Sequence, residues 1–263
     1  MREIKFTKMV ASGNDFIVIP LSRWPVIPLK RLAKDICDRK FGIGADGLLI
    51  LEKSKVADIR MRIFNVDGSE AQMCGNGARC IALYTGRKNT KIETKAGIIE
   101  AQVKGDNVRI KLTDPKDIEL GVPLTVNGRK LKVNFVDSGV PHVVIFVQGL
   151  DKIDVLNIGR SIRYHKKFAP RGANVNFIEV LSADSLKIRT YERGVEDETL
   201  ACGTGSVASA VIFALKSNTL NKINLHTRGQ EILQVYFKKQ GPKFNHVWLE
   251  GKARIICQGA YYV

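Results

Sequence analysis

The sequence predicts an α+β protein of two pseudo-symmetric domains, each a mostly antiparallel, barrel-like set of strands around one central helix. Three observations predict it. Four motifs recur in the same order in the two halves of the chain, and most of each half has strand character. Each half also holds an apolar helical stretch that follows a Cys-Gly-x-Gly turn. The 263 residues are enough for two domains of ordinary size.

The repeat is weak but ordered. Ser12-Gly13-Asn14-Asp15-Phe16-Ile17-Val18-Ile19 is echoed by Ser138-Gly139-Val140-Pro141-His142-Val143-Val144-Ile145. Ile59-Arg60-Met61-Arg62-Ile63-Phe64-Asn65 is echoed by Leu186-Lys187-Ile188-Arg189-Thr190-Tyr191-Glu192. Cys74-Gly75-Asn76-Gly77 is matched by Cys202-Gly203-Thr204-Gly205, and Thr94-Lys95-Ala96-Gly97 by Thr227-Arg228-Gly229. Cys74 follows Ser12 by 62 residues and Cys202 follows Ser138 by 64; Gly97 and Gly229 follow those cysteines by 23 and 27. Shared order and near-equal spacing point to two homologous halves, not a short-period solenoid.

Along the first half, Lys5 to Val10, Phe16 to Ile19, Gly47 to Leu51, Ile59 to Asn65, Ile98 to Val103 and Val108 to Leu112 alternate or carry β-branched residues, as strands do. Pro28 opens a helix whose apolar stripe is Leu29, Leu32, Ala33, Ile36 and Cys37. Ala78 to Tyr84 forms a shorter, mainly apolar helix. In the second half Val155, Ile158, Gly159 and Ile162 recur at helical spacing. The helix after Cys202 is apolar on every face, from Val207 through Leu215, so it is expected to be buried on all sides. Turn residues at Asp114-Pro115 mark a boundary. The surplus strand at the C-terminus is expected to return to the first domain, giving domains 1–113 plus 253–263 and 114–252.

Composition narrows the function classes. Hydrophobic residues make up 44% and charged residues 26%, as in a soluble globular protein. No apolar run approaches the ~18 residues of a membrane span. Met1 to Phe6 reads as a charged strand, not a signal peptide, so a cytoplasmic enzyme without a membrane partner is expected. The net charge of +16 suits either a nucleic-acid patch or a solvated lysine-rich surface. Lys and Arg are scattered, with no stacking aromatics among them. That favours the surface, with some help in attracting carboxylate substrates and no nucleic-acid partner. No CxxC or HxxxH pair offers metal ligands, so no metal is expected. Cys37, Cys74, Cys80, Cys202 and Cys257 are odd in number and form no disulfide framework.

Gly42-Ile43-Gly44-Ala45-Asp46-Gly47 has the GxGxxG pattern of dinucleotide sites. That site needs a strand before it and a helix after it, and here the order is reversed. These glycines read as a helix end and a turn. Cys74 and Cys202 carry the stronger signal. At a turn that opens a helix, unpaired backbone N–H groups and the helix dipole favour thiolate over thiol. A cysteine hydrolase is the rival reading, with His142 beside a repeated turn as its base. It needs no second matched cysteine. Cys37, Cys80 and Cys257 read as core.

The stretch Phe64-Asn65-Val66-Asp67-Gly68-Ser69-Glu70 leading into Cys74-Gly75-Asn76-Gly77-Ala78-Arg79-Cys80 resembles the diaminopimelate epimerase family. So do Gly13-Asn14-Asp15-Phe16, Pro141-His142, Asn174-Val175-Asn176-Phe177, Glu192-Arg193-Gly194 and Ala201-Cys202-Gly203-Thr204-Gly205. The resemblance covers nearly the whole chain in the family's order. It implies strands about a central helix in each domain, an active site in the cleft between them, a homodimer, and no cofactor: neither pyridoxal phosphate nor metal. The implied reaction interconverts L,L- and meso-diaminopimelate in lysine and peptidoglycan precursor biosynthesis.

Inverting an α-carbon needs a base on one face and an acid on the other. Two matched cysteines meet that need, one as thiolate and one as thiol, which accounts for the duplication. The α-proton is only weakly acidic against a thiol of ordinary pKa near ~8.5, so the carbanion must be stabilised electrostatically. Backbone N–H groups of Gly75, Asn76, Gly203 and Thr204, at the two helix N-termini, are the candidate donors to the α-carboxylate. Glycine there permits close approach and an unusual backbone. By resemblance, His142 and Glu192 tune thiol ionisation, and Asn14, Asn65, Asn174, Glu192 and Arg193 hold the small amino-acid substrate. Val140 stands where many members have Asn, and Gly47 where some have Gln. These departures keep a related two-cysteine racemase of another amino acid as the alternative.

Overall fold

A computed structural model describes residues 3–21, 28–217 and 221–263. The chain divides into two compact units, Met1–Ile110 with Gly251–Val263, and Lys111–Glu250.

In the first unit, β1 (Glu3–Ala11) and β2 (Asn14–Pro20) pair antiparallel across a tight turn. Helix α1 (Leu29–Cys37) returns the chain so that β3 (Gly47–Glu52) lies parallel to β2. Next come β4 (Ile59–Asn65) and the two-residue β5 (Glu70–Ala71), both antiparallel. Helix α2 (Gly75–Tyr84) leads to β6 (Asn89–Thr94), which is parallel to β4. A meander of β7 (Gly97–Lys104) and β8 (Asn107–Lys111) follows.

The second unit repeats this plan. A hairpin of β9 (Lys116–Val126) and β10 (Arg129–Asp137) precedes β11 (Pro141–Phe146). Helix α3 (Val155–Arg163) brings β12 (Asn174–Ser182) parallel to β11. Strands β13 (Ser185–Glu192) and β14 (Asp197–Thr199) run antiparallel. Helix α4 (Gly203–Lys216) leads to β15 (Lys222–His226), parallel to β13, and then to β16 (Ile232–Gln240) and β17 (Lys243–Lys252). The last strand, β18 (Arg254–Tyr262), pairs antiparallel with β1, as β9 pairs with β10. The two units therefore share one pairing scheme, with the C-terminal strand filling in one unit the place that the first strand fills in the other.

The central helices follow from their apolar faces. Helix α4 packs against β10, β11, β12, β13, β15 and β16, and Val207, Val211 and Ile212 are wholly buried. Each such side chain contributes about 1.5–3 kcal/mol on burial. Helix α2 packs against β1, β2, β3, β4, β6, β7 and β18. It also buries a cation that its apolar reading did not anticipate, Arg79, at 0% exposure. The guanidinium donates to Ser12 Oγ (2.9 Å), Asn76 Oδ1 (2.6 Å) and Lys252 O (3.3 Å). A buried charge is tolerated only with such partners. Arg79 thereby ties the start of α2 to the β1–β2 turn.

Helices α1 and α3 pack by one face against the strands and form further cores with Ile17, Leu48 and Phe64, and with Val175, Phe177 and Tyr191. Gly159 lets α3 approach the sheet: a Cβ there would meet Tyr191 Cβ at 2.5 Å. One expectation fails. Cys257 is exposed, because residues 254–259 of β18 are exposed on both faces of the strand. Cys37 and Cys80 are buried. The GxGxxG segment lies between α1 and β3, where Ile43 and Gly44 N–H both donate to Ile36 O and close the helix end.

Candidate active site

Cys74 and Cys202 are the N-cap residues of α2 and α4. Both have extended backbone, φ −141° and ψ 124° for Cys74, φ −118° and ψ 115° for Cys202. Their carbonyls accept the first helical bonds, from Ala78 and Ser206 N–H at 2.9 Å each. Each sulfur thus starts from the end of a helix that carries roughly half a positive charge. The glycines after the cysteines do not need an unusual backbone, contrary to expectation. None of Gly75, Gly77, Gly203 and Gly205 has positive φ. They are needed for space. A Cβ on Gly77 would meet Leu49 Cδ2 at 3.0 Å and one on Gly203 would meet Leu249 Cδ2 at 2.8 Å. A Cβ on Gly205 would overlap Asn176 Oδ1.

Behind Cys202 lies a directed chain of hydrogen bonds. The Thr190 hydroxyl donates to Asn176 Oδ1 (3.0 Å), which fixes the orientation of that amide. Asn176 Nδ2 then donates to Val143 O (3.0 Å) and faces His142 Nδ1 (3.0 Å). With Nδ1 as acceptor, the neutral imidazole carries its proton on Nε2 and donates to Thr204 Oγ1 at 3.0 Å. That leaves the Thr204 hydroxyl to donate to Cys202 Sγ at 3.5 Å. Gly205 N–H donates to the same sulfur at 3.4 Å. Ser138 Oγ, in the repeated Ser-Gly turn, donates to Thr204 O at 2.9 Å and anchors the start of α4. Asn176, Thr190 and Ser138 were not read as site residues from sequence. The available signal was Asn174-x-Asn176, two polar residues on one face of an otherwise apolar strand.

Protonation differs from expectation. Burial pushes the Cys202 thiol up to about 12, with the negative charge of Glu192 adding to the effect. The Thr204 hydroxyl and the Gly205 and Thr204 N–H groups pull the other way without overcoming it. The helix end alone suggested a thiolate, but desolvation wins, because α4 is enclosed by strands. Cys202 is therefore held as the thiol. Burial likewise raises the Glu192 carboxyl. His142, at 0% exposure, is pushed down to about 3 by burial and by the Arg193 charge. Both ring nitrogens are engaged, Nδ1 by Asn176 and Nε2 by Thr204, so neither is placed to take a proton from a cysteine as the hydrolase reading requires.

Two tests arise here. Thr204→Val removes the donor to Sγ, so alkylation of Cys202 is expected to move to higher pH, whereas Thr204→Ser should leave its pH profile in place. The second concerns stability. The folded pKa of His142 lies below its ordinary value of 6.5, so its contribution is present above 6.5 and is lost as pH falls toward 3. Thermal midpoints are expected to drop less on acidification in His142→Asn than in the parent protein.

The residues expected to hold substrate fall into distinct settings. Asn14 Oδ1, on β2, is buried and accepts no hydrogen bond within the described residues. An orphan buried acceptor costs about 1–3 kcal/mol, which an ammonium donor would recover. Asn65, at the end of β4, is exposed, and its amide donates to Ser69 Oγ (2.9 Å). Asn174 is buried and committed inward: its Oδ1 accepts Arg193 N–H (2.7 Å), and its amide donates to Pro141 O (3.3 Å). It holds the Arg193 backbone in place. The Arg193 guanidinium gives one of its five donors to Arg171 O (3.2 Å). Asn76 Oδ1 accepts from Arg79, so its side chain is committed within α2. Gly47 is hemmed by Phe64 O at 3.0 Å and Phe16 Cδ1 at 3.4 Å from a built Cβ. A longer side chain at that position needs a local shift.

The diaminopimelate epimerase family profile matches residues 6–117 and 134–256. The chain belongs to the diaminopimelate epimerase family. A diaminopimelate epimerase of Methanocella arvoryzae is 42% identical, covering 98% of this chain and 97% of that protein. One from Aquifex aeolicus is 37% identical, with 97% of each covered. The fold is shared more widely. A PhzF-family phenazine biosynthesis protein of Bacillus anthracis superposes with a TM-score of 0.76 at 18% identity over 100% of both chains. A hydroxyproline epimerase of Agrobacterium vitis does so at 0.72 and 15%, covering 98% of this chain and 92% of that one. Family membership makes this chain an isomerase of the epimerase class, and its paired N-cap cysteines lie within the matched residues.

Proposed function

We propose that this protein interconverts L,L- and meso-diaminopimelate, with Cys74 and Cys202 as base and acid on opposite faces of one α-carbon. The observation that carries it is the pair of cysteines at equivalent N-cap positions, one of them held as thiol. In one direction the Cys74 thiolate takes the α-proton while the Cys202 thiol donates its proton to the opposite face. The turnover ends with Cys74 protonated and Cys202 as thiolate, the starting state for the reverse direction. The Thr204 hydroxyl and Gly205 N–H then stabilise the new thiolate, and His142 holds Thr204 in the donating orientation. Backbone N–H groups of Gly75, Asn76 and Gly203 take the α-carboxylate, whose charge grows as the carbanion forms. Arg193 suits a carboxylate, and Glu192 and the Asn14 oxygen suit an ammonium.

Asn14→Ala is expected to raise KM for diaminopimelate by about ten- to hundredfold, since hydrogen bonds to charged groups contribute about 1.5–3 kcal/mol. Its thermal midpoint should not fall, because the substitution removes a buried acceptor that has no donor in the free protein. Steady-state kinetics and thermal unfolding check both. A racemase of another amino acid is the second reading, favoured by Val140 and Gly47. Turnover of a single-centre amino acid with none of diaminopimelate would select it. We place the enzyme in the cytoplasm, in lysine and peptidoglycan precursor synthesis, as a homodimer. The exposed apolar run Ile255-Ile256 on β18 supports pairing with a second copy.

A further inference from the structure

Each cysteine is preceded, four residues earlier, by a glutamate held in the same kind of ion cluster. Glu70 precedes Cys74 and Glu198 precedes Cys202. Arg62 grips Glu70 with two parallel bonds, Nε to Oε1 at 2.7 Å and Nη2 to Oε2 at 3.1 Å. Arg189 grips Glu198 in the same way, at 2.6 and 2.7 Å. A second cation closes each cluster: Lys95 on Glu70 at 2.8 Å, and Arg228 on Glu198 at 2.6 Å. The placement also matches. Glu70 lies opposite Phe64 and Glu198 opposite Tyr191, and the arginine stands two residues before each of those aromatics.

These are not surface pairs. The two glutamate side chains are 12% and 4% exposed, and forked arginine–carboxylate bonds in such settings fix geometry as well as contribute energy. The other ion pairs of the same strands are not shared between the units. Arg60 meets Glu52 and Glu93, whereas its counterpart Lys187 meets Asp151. What the two units hold in common is the clamp that leads to the cysteine. Between clamp and sulfur run Ala71-Gln72-Met73 in one unit and Thr199-Leu200-Ala201 in the other. The helix beyond is locked among strands, so the glutamate fixes the near end of that short span.

We infer that Glu70 with Arg62, and Glu198 with Arg189, are positioning residues for the reaction, each clamp setting where its own cysteine sulfur sits. The inference rests on the reading of Cys74 and Cys202 as base and acid. A misplacement of about 1 Å at a reacting atom costs on the order of 10²-fold in rate.

The test uses Glu70→Gln and Glu198→Gln in the full chain, with Arg62→Lys and Arg189→Lys as variants that keep the charge and lose the fork. Two readouts are taken: kcat and KM with diaminopimelate, and the iodoacetamide alkylation rate of each cysteine, resolved by peptide mass spectrometry. The expected result is kcat lowered by about 10²-fold with KM within about threefold. Glu70→Gln should alter alkylation of Cys74 and not of Cys202, and Glu198→Gln the reverse. The inference is overturned if kcat stays within about twofold of the parent, if both cysteines shift together in either variant, or if lost activity merely tracks lost folded protein. Should the parent protein fail to epimerise diaminopimelate, the proposed function falls, and alkylation alone decides the clamp.

Discussion

Cys202→Ser is expected to lower kcat by about 10³-fold or more in both directions, because a positioned acid–base group contributes about 10²–10⁴-fold and a serine hydroxyl is a far weaker acid than a thiol. KM should change little, since Cys202 binds nothing before the proton moves. Cys74→Ser should be as damaging, since each turnover needs one base and one acid. The variants should stay folded: serine is smaller than cysteine and introduces no clash, and the carbonyl of residue 202 keeps its bond to Ser206 N–H. Progress curves from pure L,L- and pure meso-diaminopimelate check this. A variant that still inverts at the parent rate removes its cysteine from the mechanism.

Gly205→Ala carries the second large effect. A Cβ at residue 205 overlaps Asn176 Oδ1, the atom that Thr190 uses to orient the amide behind His142. Overpacking of this kind costs about 1–3 kcal/mol, so a lowered thermal midpoint is expected. The catalytic effect should exceed the stability effect. Displacing Asn176 disturbs the imidazole that steers Thr204 toward the sulfur, so kcat should fall and Cys202 alkylation should move to higher pH. Gly75→Ala is the contrast for stability. Its Cβ would meet Ile110 Cδ1 at 3.4 Å, an ordinary contact, so its thermal midpoint should stay near that of the parent.

Much of this architecture was legible in the sequence where the signal is local or repeated. The all-round apolarity of Val207 to Leu215 foretold a helix enclosed by strands, and α4 is enclosed. The matched Cys-Gly-x-Gly turns foretold cysteines at helix starts, and both are N-caps. The β9–β10 hairpin was not read, because the outer part of β9 is exposed and does not alternate; Asn127-Gly128 was the turn signal that could have found it. The ionisation of Cys202 was read in the wrong direction. A helix end is visible in sequence, whereas enclosure by strands and the approach of Glu192 are tertiary facts. Asn174 and Asn176 lie on one face of β12, yet one holds the Arg193 backbone and the other a histidine ring, a division set by what packs against them. The exposure of Cys257 depends on what covers β18, which no local pattern encodes.

The central claim is that two different groups handle the two faces of the α-carbon, and proton exchange during inversion tests it most directly. L,L-diaminopimelate is turned over in deuterated water, and the first meso product is examined by mass and by NMR at the inverted centre. Two cysteines acting as base and acid predict one deuterium at that centre in the earliest product, with the remaining substrate still unlabelled, because the donor thiol carries a proton drawn from solvent. Early meso product that retains the original protium would mean that a single group carries the proton across, and would contradict the account.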